Sequence, residues 1–205
     1  MELFSFIFTI FFMLLGPLKL IPFFSGVTQG SDSRFKRDVA ILGVLIAAAI
    51  CAFVVLAGEI ILNKYRISIE AVRIAGGLVL MISALLAIFH KAHPSSPHSG
   101  TSTASQLAAS PVAVPGIVPP AGIAAILICT MLEPQYPGVV QAVALCLGIM
   151  LALDFLVMYF IDRVMKTPGL MIVLFALGSV LAFVQVALAV QIILVAFKHL
   201  GVIQA

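Results

Sequence analysis

Pro111-Val112-Ala113-Val114-Pro115-Gly116-Ile117-Val118-Pro119-Pro120-Ala121-Gly122 lies within an otherwise apolar run and holds four prolines. Proline removes a backbone donor and clashes with the preceding turn, so this stretch predicts a span that is broken rather than straight. A second interruption, Gly16-Pro17-Leu18-Lys19-Leu20-Ile21-Pro22, falls inside the first apolar run of the chain. At membrane depth the amides and carbonyls freed by such breaks must be satisfied by neighbouring helices, a cavity or a bound solute.

The surrounding composition fixes the setting. Of 205 residues, 63% are hydrophobic and 9% charged, whereas soluble domains carry about 25% charged residues. This excludes an ordinary cytosolic domain. About 20 apolar residues span the hydrocarbon core as a helix. Such runs occur at roughly Met1 to Phe24, Val39 to Leu62, Ile67 to His90, Pro111 to Thr130, Pro137 to Ile161 and Gly169 to Phe197. The first run has no basic leader region and no small-residue cleavage site before Pro17, so it reads as a retained span. Residues 91–110, rich in Ser, Thr, Pro and His from His93 onward, read as a flexible cytoplasmic loop. They separate a first half, 1–90, from a second, 111–205.

Orientation follows from the basic residues, which are retained on the cytoplasmic side. With the N-terminus outside, the inner loops hold Arg34, Lys36, Arg37, Lys91, Arg163 and Lys166, against Lys64, Arg66 and Lys198 outside. Both termini are then periplasmic in an inner-membrane protein. Halves with an odd number of spans must face opposite ways, the condition for an inverted repeat. The expected architecture is an all-α membrane protein of six transmembrane helices in two inverted three-helix repeats, the first helix of each half broken by Pro and Gly. Broken segments in corresponding positions point to a transport site. The residues assigned to it are Gly16, Pro17 and Pro22 from the first break, and Pro115, Pro119, Pro120 and Gly122 from the second, with Gly76 and Gly77 beside them. A pair of plain kinks is the alternative, and helix packing is the alternative for Gly76 and Gly77.

Ionisable residues within spans are costly and are usually paired or face a cavity. Glu59 near the end of the second span and Arg73 near the start of the third are expected to form an ion pair, with snorkelling to the interface as the alternative. Asp154, inside the fifth span, is a candidate for proton or sodium coupling, or a satisfied structural carboxyl. Gln185 and Gln191 are expected to make polar contacts between helices. Small residues at four-residue spacing, Ala144-Gly148-Ala152 and Gly178-Ala182, read as helix contacts. Cys51, Cys129 and Cys146 lie in apolar runs and read as small core residues. His90, His93 and His98 lack partners at metal-ligand spacing. No metal or cofactor is expected.

Several blocks resemble one known family. Gly16-Pro17 through Ile21-Pro22-Phe23, then Thr28, is similar to a first-span signature of Asn-Pro, a short gap and Ile-Pro-Phe. Ala57-Gly58-Glu59 is similar to the end of that family's second span. Ile67-Ser68-Ile69 with Arg73-Ile74-Ala75-Gly76-Gly77 resembles its most specific block, Pro111-Val112-Ala113-Val114-Pro115 its fourth-span prolines, and Gln191 a recurring last-span glutamine. The family is the MarC family of inner-membrane proteins, which includes the neutral amino-acid transporters called SnatA. Two departures lie in the expected site: Gly16 stands where the family has Asn, and Pro119-Pro120-Ala121 where it has Gly-Pro-Gly.

The resemblance implies a secondary transporter of small neutral amino acids such as glycine or alanine, proton- or sodium-coupled and working by alternating access. A non-transporting scaffold or regulatory protein is the alternative. The implied partners are a small-molecule substrate, membrane lipid and a coupling ion; a homo-oligomer is compatible with this. The charge distribution gives no reason to expect a nucleic-acid partner. No nucleophile elbow, Walker loop, dinucleotide fingerprint or zinc-protease motif is present, so an enzyme is not expected.

Overall fold

The structure, a computed structural model, describes residues 2–89, 103–132, 136–166 and 169–203. In chain order it consists of α1 (Glu2–Leu15), α2 (Pro17–Val27), α3 (Ser33–Lys64), α4 (Ile69–Phe89), α5 (Ala104–Leu107), a wide-turn segment (Ala108–Ile117), α6 (Pro120–Thr130), α7 (Val139–Tyr159), α8 (Ile161–Val164) and α9 (Leu170–His199). All regular structure among the described residues is helical. The described residues contain 5 helices long and apolar enough to cross a membrane, or up to 6 if the bent pair around residue 118 counts as one span.

Both interruptions are set by proline. A residue before proline is pushed out of the helical region into extended backbone. Gly16, before Pro17, has φ −68° and ψ 161°. Pro119, before Pro120, has φ −69° and ψ 155°. Each is followed by a helix of 11 residues that opens on proline, where the missing amide costs nothing. Near the ends of these helices two buried threonines bond back to the preceding turn, Thr28 Oγ1 to the Phe24 carbonyl at 2.7 Å and Thr130 Oγ1 to the Leu127 carbonyl at 3.0 Å.

The breaks differ in severity. Leu3–Val27 still qualifies as a single span, whereas Ala104–Ile117 and Pro120–Thr130 are bent by 58°. Ser110 and Val114, each before a proline, are extended within the wide-turn segment. The expected loop also gives way to structure at its end. Thr103 caps α5 with a reciprocal Thr103–Gln106 capping box, and Leu107 and Ala108 are buried, so residues 103–110 belong to the packed body. Residues 90–102, with His90, His93 and His98, lie outside the described residues.

The two broken helices form the centre. α1 packs on α6 and α2 on the wide-turn segment, so they cross near their breaks. α3 pairs with α7 on one side of this centre, and α4 pairs with α9 on the other. α6 passes between α3 and α4. Gly58 of α3 accepts Leu127 at a distance no Cβ would allow, and a Cβ on Gly76 of α4 would lie 3.0 Å from that of Ala124. Small residues let backbones approach where lipid offers no hydrophobic drive to pack.

The outside is as apolar as the inside. Leu56 is 73% exposed, Ile172 75% and Phe89 77%, while Phe11 and Phe24 are wholly buried. Lipid solvates such a surface; water would not. At one end Lys36 Nζ meets Asp162 at 2.7 Å and Ser33 donates to the same carboxylate at 2.6 Å, joining the start of α3 to α8. The two lysine and serine bonds hold the Asp162 carboxyl below its ordinary range.

Candidate functional site: a cavity between the two breaks

Gly16, Lys19 and Phe23 come from the first broken helix, and Pro115, Gly116 and Pro119 from the second; together they face a cavity of about 200 Å³. Leu14 and Leu15 supply apolar wall, Ser83 enters from α4 and Gln185 from α9. Local backbone explains the convergence. A Cβ on Gly16 would collide with the Phe12 carbonyl, so the end of α1 closes tightly on this glycine, whose amide donates to that same oxygen at 3.0 Å. A Cβ on Gly116 would lie 2.7 Å from the Phe23 ring. Gly116 lets the second broken helix approach the first, while Gly16 lets α1 close tightly at its own end.

Of the residues assigned to the site, Gly16, Pro115 and Pro119 line the cavity. Pro17, Pro22, Pro120 and Gly122 are not among its lining residues. They shape the helices behind it: Pro17 and Pro120 start α2 and α6, Pro22 lies within α2, and Gly122 packs where a Cβ would lie 3.0 Å from Leu15. Gly76 and Gly77 also fall outside the lining. Gly76 rests on α6, and a Cβ on Gly77 would lie 3.1 Å from the Ala189 carbonyl of α9, so both serve helix packing.

The expected Glu59–Arg73 pair does not form. Glu59 is exposed on α3, and α6 intervenes between its helix and α4. Arg73, 8% exposed, instead donates from Nη1 to His199 Nδ1 of α9 at 2.8 Å, and Glu70 lies 3.9 Å from the same imidazole nitrogen. The heaviest packing in the molecule, α4 on α9, decides Arg73's partner.

The two glutamines part company. Gln185 is buried on the α9 stripe with Ala182, Ala189 and Ala196, while Gln191, displaced around the helix from that stripe, is exposed. Ala144, Gly148 and Ala152 are exposed; Ala144 and Gly148 line a groove of about 310 Å³ with Ala48, Cys51, Ala52 and Val55 of α3, and a Cβ on Gly148 would have open space around it. Ala182 is buried, but Gly178 has open space beside it. Cys51, Cys129 and Cys146 are buried and free.

Asp154 occupies the buried face of α7, in the stripe that includes Met150 and Met158. It is fully buried, and neither carboxyl oxygen has a hydrogen-bond partner. No group of His, Cys, Asp and Glu able to hold a metal ion occurs among the described residues.

Sequence reasoning alone passes over Lys19. Its Nζ donates to Gln185 Oε1 at 2.5 Å, tying α2 to α9 at the cavity. The signal was available, since Lys19 lies inside an apolar span between two prolines.

Two interrupted helices crossing at a polar-spotted cavity, within a shell of apolar helices, define a polytopic integral membrane protein. The chain belongs to the MarC family of integral membrane proteins, whose family model matches residues 1–200. It is 29% identical over 126 residues to the UPF0056 inner membrane protein YhgN of Escherichia coli K12, an alignment covering 62% of this chain and 61% of that protein. The match to YhgN thus spans under two thirds of that relative's length. The UPF0056 membrane protein YvbG of Bacillus subtilis is 25% identical over 199 residues, covering 91% of this chain and 93% of the relative. The UPF0056 membrane protein MJ1677 of Methanocaldococcus jannaschii is 29% identical over 156 residues, covering 73% and 76%. No solved structure matches the chain.

Proposed function

We propose that this chain is a secondary transporter that carries small neutral amino acids such as glycine or alanine across the inner membrane by alternating access. The observation that carries the reading is the cavity of about 200 Å³ built from Gly16 of one break and Pro115 and Pro119 of the other. Drug-sized ligands occupy sites of about 300–1,000 Å³, so this volume favours a solute of a few heavy atoms.

The packing pattern supports two inverted repeats. α3 packs on the wide-turn segment and α6 as α7 packs on α1 and α2, and α4 touches α6 as α9 touches α2. Exchanging the halves exchanges these contacts, which is what a two-fold axis in the membrane plane requires. Rocking of one half against the other would open the cavity to each side in turn. The basic residues favour both termini outside. Asp154, buried and unpartnered, is the candidate for the coupling proton or sodium ion.

The competing reading is a non-transporting scaffold. The exposed Ala144-Gly148-Ala152 stripe favours it, being a surface another helix could cover. Proteoliposome counterflow separates the two. Labelled glycine or alanine should accumulate transiently in vesicles preloaded with the unlabelled amino acid. A partner that co-purifies stoichiometrically, without flux above protein-free vesicles, would favour the scaffold. Asp154→Asn should retain counterflow and lose gradient-driven uptake.

A further inference from the structure

Lys19 is a cation on the wall of a largely apolar cavity, and no ion pair joins it to an acid among the described residues. Its partner is the neutral carbonyl of Gln185, which is itself buried. Ionisable residues at membrane depth are normally compensated by an opposite charge. None of the cavity's lining residues is acidic. Gly16 and Pro119, which stand at the starts of α2 and α6, bring two helix N-termini to the same space and add partial positive charge. The cavity therefore brings a lysine ammonium and two helix N-termini together, with no acidic residue on its wall.

We propose that the cavity binds a small carboxylate-bearing solute, with the Lys19 ammonium as its anchor and Gln185 as the neutral partner that a carboxylate oxygen displaces. The solute's carboxylate supplies the missing negative charge, and the Gln185 amide, having both a donor and an acceptor end, turns its NH₂ toward the second oxygen. Apolar wall from Leu14, Leu15 and Phe23 suits a short aliphatic remainder. No acidic side chain is provided for an α-ammonium, so the site accepts plain monocarboxylates as well as amino acids. The inference rests on the reading of this cavity as the transport site, and it narrows what that site recognises.

The test is binding to the full chain purified in detergent, with L-alanine, propionate and L-alaninamide as probes and thermal stabilisation as the readout. Alanine and propionate should stabilise the protein, and alaninamide, which lacks the carboxylate, should not. Lys19→Gln should raise the half-saturating propionate concentration by about tenfold or more, as expected for loss of a charge-assisted bond. Lys19→Arg should largely restore binding, which also shows that position 19 tolerates replacement. The exposed Lys64→Gln should bind as the parent does. Alaninamide acting like alanine, propionate failing to bind, or Lys19→Gln binding within twofold of the parent would overturn the proposal. Counterflow keeps the two readings apart. Lys19-dependent propionate binding without alanine flux upholds this site and removes transport; alanine flux undiminished in Lys19→Gln does the reverse.

Discussion

Lys19 of the first broken helix and Gln185 of the last helix are joined by a hydrogen bond of 2.5 Å across 166 residues of sequence. The bond joins α2 to α9 and gives the half-buried ammonium its neutral partner. Replacing Gln185 by Leu keeps the apolar contact and removes the acceptor. Such a loss costs about 1–3 kcal/mol where the partner is left buried. Gln191→Leu, on the exposed face, should stay within about 0.5 kcal/mol of the parent. Thermal unfolding in detergent compares the two.

The first break depends on a glycine. A Cβ at Gly16 would meet the Phe12 carbonyl, a backbone atom that cannot swing aside. Gly16→Ala should therefore destabilise the protein by about 1–3 kcal/mol, the range for overpacking. Gly16→Asn meets the same obstacle and should do so too. Gly148→Ala, where a built Cβ has nothing within 4 Å, is the matched control and should be tolerated. Unfolding midpoints of the three variants check this.

Arg73 should be coupled to His199 and independent of Glu59. A double-mutant cycle on Arg73→Gln and His199→Ala should give an interaction energy of about 0.5–3 kcal/mol, as for residues in contact. The cycle with Glu59→Gln should be additive within about 0.5 kcal/mol. A coupled Glu59 cycle would mean that α6 does not separate α3 from α4.

At the other end, the bonds from Lys36 and Ser33 favour the charged form of Asp162. A carboxyl held below its unfolded value, about 3.9 for Asp, contributes stability that is fully present above that value. The contribution is lost as pH falls through the lowered folded value. Because the Asp162 side chain is 45% exposed, the effect should be small, about 0–1 kcal/mol. The difference in melting temperature between the parent and Asp162→Asn should be largest near pH 7, shrink as the medium becomes strongly acidic, and weaken with salt.

What was legible in the sequence is local. Pro17, Pro115, Pro119 and Pro120 act on their own backbone, so the places where helices break can be read directly, as can the apolar runs around them. What was not legible is which helices become neighbours. Arg73 finds His199 because α4 lies along α9, and no feature near residue 73 announces that. The same holds for Gly76 and Gly77, whose role as contacts for α6 and α9 is set by distant chain. Lys19 is a different case. The rule that singles out Asp154 applies to it equally, yet beside the prolines it reads as part of the break. Residues 103–110 mislead in another way, since their Ser, Thr and Gln conceal a capped turn anchored by the buried side chains of Leu107 and Ala108.

Alternating access requires that the cavity between the breaks be reached from both sides of the membrane and be occupied by the carried solute. Ser83, which enters the cavity from α4, offers the direct probe. In a chain with Cys51, Cys129 and Cys146 replaced by Ala, Ser83→Cys would be exposed to a membrane-impermeant maleimide from either side of proteoliposomes. The predicted result is labelling from both sides, slowed by saturating L-alanine. Labelling from neither side, or at a rate that alanine leaves unchanged, would contradict it.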